Sequence, residues 1–186
     1  MIHFRSAAVA FAVALLANGI LLAGPIQSGP QVGEKVPGPF SPLNVTGPDA
    51  GKTSCLYCKN GSRPVMAIFA KQLTPAVEQL MKKIDTATAA NKEQGLGSYV
   101  VFCTDSAGLD QKLQGVARQL QIQSTVLALY KSGGPERYRL AAEADVTVLL
   151  YNHLTVKANH AFKAGELSSP AIDAILADLA KMLADN

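Results

Sequence analysis

The stretch that decides the fold is residues 64–70, Pro-Val-Met-Ala-Ile-Phe-Ala, which is soon followed by Thr74-Pro75. A short run of consecutive hydrophobic residues is typical of a strand that is buried on both faces. Thr74 suits the N-cap of a helix, and proline suits the first helical position. The stretch therefore predicts a central strand that leads into an amphipathic helix. The acidic residues Asp85 and Glu93 are assigned to the solvated faces of this helical region.

The alternation of strand and helix continues towards the carboxyl terminus. Four further apolar runs are typical of strands: residues 99–103, 125–130, 146–151 and 155–162. A helix capped by Asp105 or Ser106 lies between the first two runs, and a last helix opens at Ser169. Strands separated by helices imply a parallel sheet that is covered on both faces. The last two strands form a hairpin that makes the sheet mixed. The expected fold is a three-layer α/β/α sandwich that ends in a β-hairpin and a helix.

Composition divides the chain into three parts. Residues 1–24 have a basic start and an apolar run, which are typical of a signal peptide. Asn18-Gly19 interrupts the run, whereas a membrane-spanning helix needs about 20 clean apolar residues. Residues 25–62 are rich in Gly and Pro, which predicts an arm of loops, one short strand and no helix. Residues 63–186 are the compact domain. We therefore expect an exported protein of the periplasm or cell envelope, without membrane attachment after cleavage.

The predicted elements resemble the thioredoxin-like fold, and more closely its redoxin branch (thiol-specific antioxidants and exported thioredoxin-like proteins). Residues 32–40, Val-Gly-Glu-Lys-Val-Pro-Gly-Pro-Phe, are similar to the opening of redoxin domains. Residues 63–70 resemble the central strand of that fold, and residues 146–162 resemble its closing hairpin. The layout also resembles a small exported subgroup with a CxxC pair ahead of the central strand. The resemblance covers residues 32–186.

The chain departs from this family at two positions. In thioredoxins the reactive cysteines follow the central strand and open the next helix, but residues 70–75 hold no cysteine here. Peroxiredoxins need a Thr and a Cys at the same place, and that pair is also missing. Val146 stands where the family has the cis-proline that supports a substrate peptide. The resemblance therefore implies the fold and carries over no catalytic residue.

Cys55 and Cys58 are the main candidate functional residues. Two thiols at this spacing can close a small disulfide that stiffens the arm. They can also form a dithiol that exchanges electrons with a protein partner, or supply half of a zinc or copper site. The sequence leaves all three roles open. We expect Lys59 to favour a thiolate at Cys58.

Cys103, His153 and His160 are secondary candidates. Cys103 ends the second predicted strand of the domain, so it is either a resolving thiol for the pair or a small buried core residue. The two histidines belong to the predicted hairpin, where they either lie at the surface or help the thiols to bind a metal. No cofactor is expected, since Lys59 stands where an attached haem needs a histidine.

Charge and composition exclude some partners. The formal net charge is only +3, and the lysines are spread along the chain. Without a basic and aromatic patch, a nucleic-acid partner is not expected. Three classes of function are left: an exported thiol-disulfide oxidoreductase, a non-catalytic binding or scaffold protein with a structural disulfide, and a metal carrier. The sequence favours the first, with a protein thiol or disulfide as the partner.

Overall fold

The computed structural model describes residues 26–185, so the expected signal peptide at residues 1–24 lies outside the described residues. The strands are β1 (Leu43–Asn44), β2 (Val65–Ala70), β3 (Gly97–Cys103), β4 (Thr125–Tyr130), β5 (Val146–Asn152) and β6 (Thr155–Phe162). The helices are α1 (Leu56–Asn60), α2 (Pro75–Ala90), α3 (Leu109–Gln119) and α4 (Ser169–Ala184). Within the described range, no helix combines the length and the hydrophobicity needed to cross a membrane.

The strands form one mixed sheet in the order β1-β4-β3-β2-β5-β6. The three central strands β4, β3 and β2 are parallel. At the two sides, β1 is antiparallel to β4, β5 is antiparallel to β2, and β6 is antiparallel to β5. The expected mixed sheet with a closing hairpin is confirmed.

Hydrophobic layers cover the sheet on both faces. Met66 and Ile68 belong to the core on one face, together with the apolar sides of α2, α3 and α4. Ala67 and Phe69 belong to the core on the other face, where the amino-terminal arm and α1 supply the cover. The expected three-layer α/β fold is confirmed, with the three longer helices on one face of the sheet and the arm with the short α1 on the other.

The predicted helix starts are partly correct. Thr74 caps α2, and its hydroxyl accepts the backbone N–H three residues further on at 3.3 Å. The prediction that Asp105 or Ser106 caps α3 is wrong, because α3 starts after Gly108, which has a φ of 75°. The Asp105 carboxylate instead accepts a hydrogen bond from the backbone N–H of Ser132, 27 residues further along the chain, at 3.2 Å.

The arm pairs with strands at both edges of the sheet. At one side, β1 pairs with the end of β4. At the other, Lys35 bridges to Thr155 at the start of β6. Val36 and Phe40 are 5% and 7% exposed and belong to the core. The arm therefore completes the fold, while the boundary between residues 62 and 63 stays a prediction.

The expectation that the arm contains no helix is wrong for α1. Leu56 is only 2% exposed and packs in the core beneath the arm. Burial of a leucine side chain is worth about 1.5 to 3 kcal/mol, which supports a short helix in spite of the surrounding glycines and prolines. Local composition could not reveal this long-range contact.

Asp85 also differs from expectation, since it is only 5% exposed rather than solvated. Its Oδ1 atom accepts three backbone N–H groups, from Gln123 at 3.1 Å, Ser124 at 2.7 Å and Thr125 at 2.8 Å. These bonds tie α2 to the start of β4. Glu93 is exposed, as expected.

Replacing Asp85 by alanine leaves these three N–H groups without their acceptor. We expect the free energy of unfolding to fall by about 1 to 3 kcal/mol, because the buried Thr125 N–H and two part-buried N–H groups lose a charged acceptor. Urea denaturation followed by circular dichroism measures the change. Glu93→Ala is the control and should shift stability by less than about 0.5 kcal/mol. Equal stability of the two variants would contradict the role of Asp85.

Candidate functional site

Cys55 and Cys58 are joined by a disulfide at the start of α1, with their Cα atoms 5.3 Å apart. Cys55 is the N-cap of the helix, in an extended conformation with φ −80° and ψ 103°. Its Sγ atom accepts the backbone N–H of Cys58 at 3.0 Å. The pair is therefore held in the first turn of a helix.

The two residues between the cysteines face the core. Leu56 is buried, and Tyr57 is half-buried and packs against the same core cluster as Phe40 and Tyr99. Cys58 is exposed, whereas Cys55 is half-buried. Packing of the central residues thus places the bond between core and solvent, with Cys58 on the solvent side.

A polar network connects the residues on either side of the pair. The Asp49 carboxylate accepts the Ser54 hydroxyl at 2.9 Å, and the Asn44 amide donates to the same hydroxyl at 2.6 Å. Asp49 also forms an ion pair with Lys59. The negative charge of Asp49 balances Lys59, so this lysine contributes less to a Cys58 thiolate than the sequence suggested.

The end of α1 is held by side-chain hydrogen bonds from Asn60 and Arg63 to carbonyls of the helix itself. The Asn60 side chain donates to the Leu56 carbonyl at 2.8 Å, and Arg63 donates to the carbonyls of Lys59 and Asn60 at 2.9 and 3.1 Å. A Cβ atom at Gly97, the first residue of β3, would lie 2.0 Å from the Asn60 Oδ1 atom. Glycine at this position therefore allows α1 to approach the sheet.

Cys103 occupies a different environment at the end of β3. It is free and only 6% exposed. Burial raises the pKa of its thiol from 9.0 to about 12, and the positive charge of Lys71 opposes this rise in part. The thiol borders a cavity of about 120 Å³ that is also lined by Phe69, Leu140 and Thr147 and by no residue of α1. At neutral pH, Cys103 is a protonated core residue.

The junction of β2 and α2, where the resemblance to thioredoxins would place reactive cysteines, is joined to the start of β5 by a backbone hydrogen bond. The Lys71 N–H donates to the carbonyl of Asp145 at 2.9 Å. Val146, at the expected cis-proline position, begins β5, and no cis peptide bond occurs in residues 26–185.

The two histidines of the hairpin have separate surroundings. His153 is exposed at the turn between β5 and β6. His160 is half-buried, with its Nε2 atom 3.1 Å from an Asp178 carboxylate oxygen. In the described part of the chain, no three or more His, Cys, Asp or Glu side chains are grouped as a metal site requires.

Comparison with known proteins gives structural matches only. No known protein-family profile matches the sequence, and no curated protein does. A proposed protein disulfide isomerase from Bacteroides thetaiotaomicron matches with a TM-score of 0.63 and 13% identity, over 85% of this chain and 94% of its own. A secreted disulfide oxidoreductase from Mycobacterium tuberculosis matches with a TM-score of 0.57 and 11% identity, over 76% of this chain and 95% of its own.

A peroxiredoxin-like protein from Aquifex aeolicus is also similar, with a TM-score of 0.56 and 15% identity, over 86% of this chain and 89% of its own. At such identities the similarity concerns the fold. The chain therefore has a thioredoxin-like fold, as expected.

The raised pKa of Cys103 predicts that this thiol is slow to alkylate in the folded protein. A rise from 9.0 to about 12 leaves roughly a thousandfold less thiolate at pH 8, and only the thiolate reacts. Iodoacetamide labelling with and without denaturant, read by intact mass, measures the difference. Because Cys55 and Cys58 are joined, the label reports on Cys103 alone. Labelling of the folded protein at the rate of the unfolded chain would contradict this assignment.

Proposed function

We propose that this protein is an exported thiol-disulfide oxidoreductase that uses Cys55 and Cys58 as its redox pair on a protein thiol or disulfide. The observation that carries the proposal is the Cys55–Cys58 disulfide at the first turn of α1, with Cys58 exposed. Exchange needs a sulfur that a partner thiolate can approach and a second sulfur that can leave. The arrangement of this pair meets both needs.

The reaction moves two electrons between the pair and a partner. A partner dithiol attacks the Cys55–Cys58 bond and forms a mixed disulfide. Its second thiol then resolves that intermediate, so the partner gains a disulfide and the pair becomes a dithiol. In the reverse direction the reduced pair opens a partner disulfide. Both half-reactions use only the sulfurs and protons of the protein and its partner.

Export is supported by the sequence and by the chemistry of the pair. Residues 1–24 have the pattern of a signal peptide. Disulfides persist mainly outside the cytosol, and one protein of similar fold is itself described as secreted. We propose the periplasm or cell envelope as the location.

Cys103 is assigned no step in this reaction. Its burial and high pKa keep it protonated, and a protonated thiol neither attacks a disulfide nor resolves one efficiently. The pair is proposed to work without a third cysteine.

A structural role for the disulfide is the second candidate, and the packing of Leu56 and Tyr57 in the core favours it. The two roles differ in reduction potential. Structural disulfides of secreted proteins lie below about −300 mV, whereas exchange proteins lie between about −270 and −120 mV. Equilibration with glutathione or dithiothreitol buffers, followed by alkylation and mass analysis, measures the potential. A value above about −270 mV supports the redox role, and a lower value supports the structural one.

Turnover of a protein disulfide tests the proposed function directly. Insulin reduction in the presence of dithiothreitol should be accelerated by the parent protein. Cys55→Ser and Cys58→Ser should each fall to the uncatalysed rate, because the disulfide can no longer re-form within the pair. Cys103→Ala is the matched control and should keep turnover close to the parent value. Equal rates for the parent and the two serine variants, all folded by circular dichroism, would refute the proposal.

A further inference from the structure

The two cysteines of the pair differ in their exposure to solvent. Cys58 is exposed, whereas Cys55 is half-buried. In thiol-disulfide exchange, a thiolate attacks one sulfur of the disulfide and the other sulfur leaves. The attacked sulfur must therefore be accessible to the incoming thiolate. Cys58 meets this condition better than Cys55.

The two sulfurs also differ in what can stabilise their negative charge. Cys55 Sγ accepts the Cys58 N–H at 3.0 Å. A backbone donor at this distance strengthens its bond when the acceptor becomes an anion. The cation closest in sequence, Lys59, is already engaged by Asp49. A thiolate is therefore better supported at Cys55, and the sulfur that supports a thiolate is the better leaving group.

The backbone on the Cys55 side is held more firmly to the arm. The Ser54 N–H donates to the Pro42 carbonyl at 3.2 Å, and the Ser54 hydroxyl joins the network of Asn44 and Asp49. The Cys55 carbonyl in turn accepts the Lys59 N–H at 3.2 Å. These bonds keep Cys55 at the N-cap, where its sulfur remains beside the Cys58 N–H after the disulfide opens.

From these differences, and on the basis of the proposed function, we infer that Cys58 is the sulfur that partners attack and Cys55 is the sulfur that leaves and later resolves. A partner thiolate forms a new S–S bond to Cys58 Sγ as the Cys55–Cys58 bond breaks. The electron pair of that bond goes to Cys55 Sγ, which becomes a thiolate held by the Cys58 N–H. A second partner thiolate then attacks the partner sulfur of the mixed disulfide and releases Cys58 as a thiolate. Both thiolates take protons released by the partner thiols.

In the reverse direction the roles are the same. The Cys58 thiolate attacks a partner disulfide and forms the mixed disulfide, and one partner sulfur leaves with the electron pair. The Cys55 thiolate then attacks Cys58 Sγ, which restores the internal disulfide and releases the second partner sulfur. The carboxyl-terminal cysteine of the pair is thus the entry point for the partner.

The position of the first adduct tests this inference. Oxidised Cys103→Ala protein, which contains only the pair, is mixed with glutathione, quenched with acid within seconds and digested with trypsin after alkylation. Cleavage after Lys52 and Lys59 gives one peptide, residues 53–59. Because Leu56 and Tyr57 separate the cysteines, fragment ions locate the glutathione. We expect the earliest adduct mainly on Cys58, with alkylated Cys55.

A second measurement removes the effect of adduct migration. Cys55→Ser and Cys58→Ser, each combined with Cys103→Ala, carry a single thiol, and their rates with a small aromatic disulfide are compared over a pH series. At the high-pH plateau, where both thiols are ionised and access decides the rate, the Cys58 thiolate should react at least about tenfold faster. Adducts mainly on Cys55, an even split, or equal rates would overturn the inference. Loss of insulin turnover with the adduct still on Cys58 would refute the proposed function and leave this inference standing.

Discussion

The central strand β2 is enclosed on both faces, and each of its residues is at most 2% exposed. Because both faces of β2 are buried, the chain segments before and after this strand must cover the sheet. The amphipathic helix α2 follows and covers one face of the sheet. On the other face, α1 must pack beside the sheet because only a short turn separates it from β2. The disulfide therefore has a defined place in the molecule, although its segment is rich in glycine and proline.

The sequence predicted the parts of the fold whose signals are local. The apolar run of β2, the Thr74 cap of α2 and the closing hairpin each depend on neighbouring residues, and all three were found. The parts that were missed depend on distant partners. Asp85 looks like a surface residue of α2 until the N–H groups at the start of β4 are brought beside it. Asp105 has the chemistry of a cap but binds a loop beyond β4 instead.

The candidate site shows the same limit. The spacing of Cys55 and Cys58 predicted a pair, and the structure joins them. The helix that presents them was missed, because it depends on the contact of Leu56 with the core rather than on helix propensity. The apolar dipeptide Leu56-Tyr57 between the two cysteines is the local signal that could have pointed to this contact. Without that contact, the difference in exposure between the two cysteines could not have been predicted.

Thiol chemistry does not require the junction of β2 and α2 that related folds use. It requires an accessible sulfur, a neighbouring sulfur that can leave, and a donor that supports the departing charge. In the proposed reaction the backbone N–H of Cys58 supplies the donor, because Cys55 occupies the N-cap and Cys58 lies at the third helical position. Cys55 at the cap is half-buried, whereas Cys58 at the third position is exposed beside the buried Leu56 and the half-buried Tyr57. The proposed order of roles within the pair therefore rests on the packing of α1 rather than on the order of the cysteines in the chain.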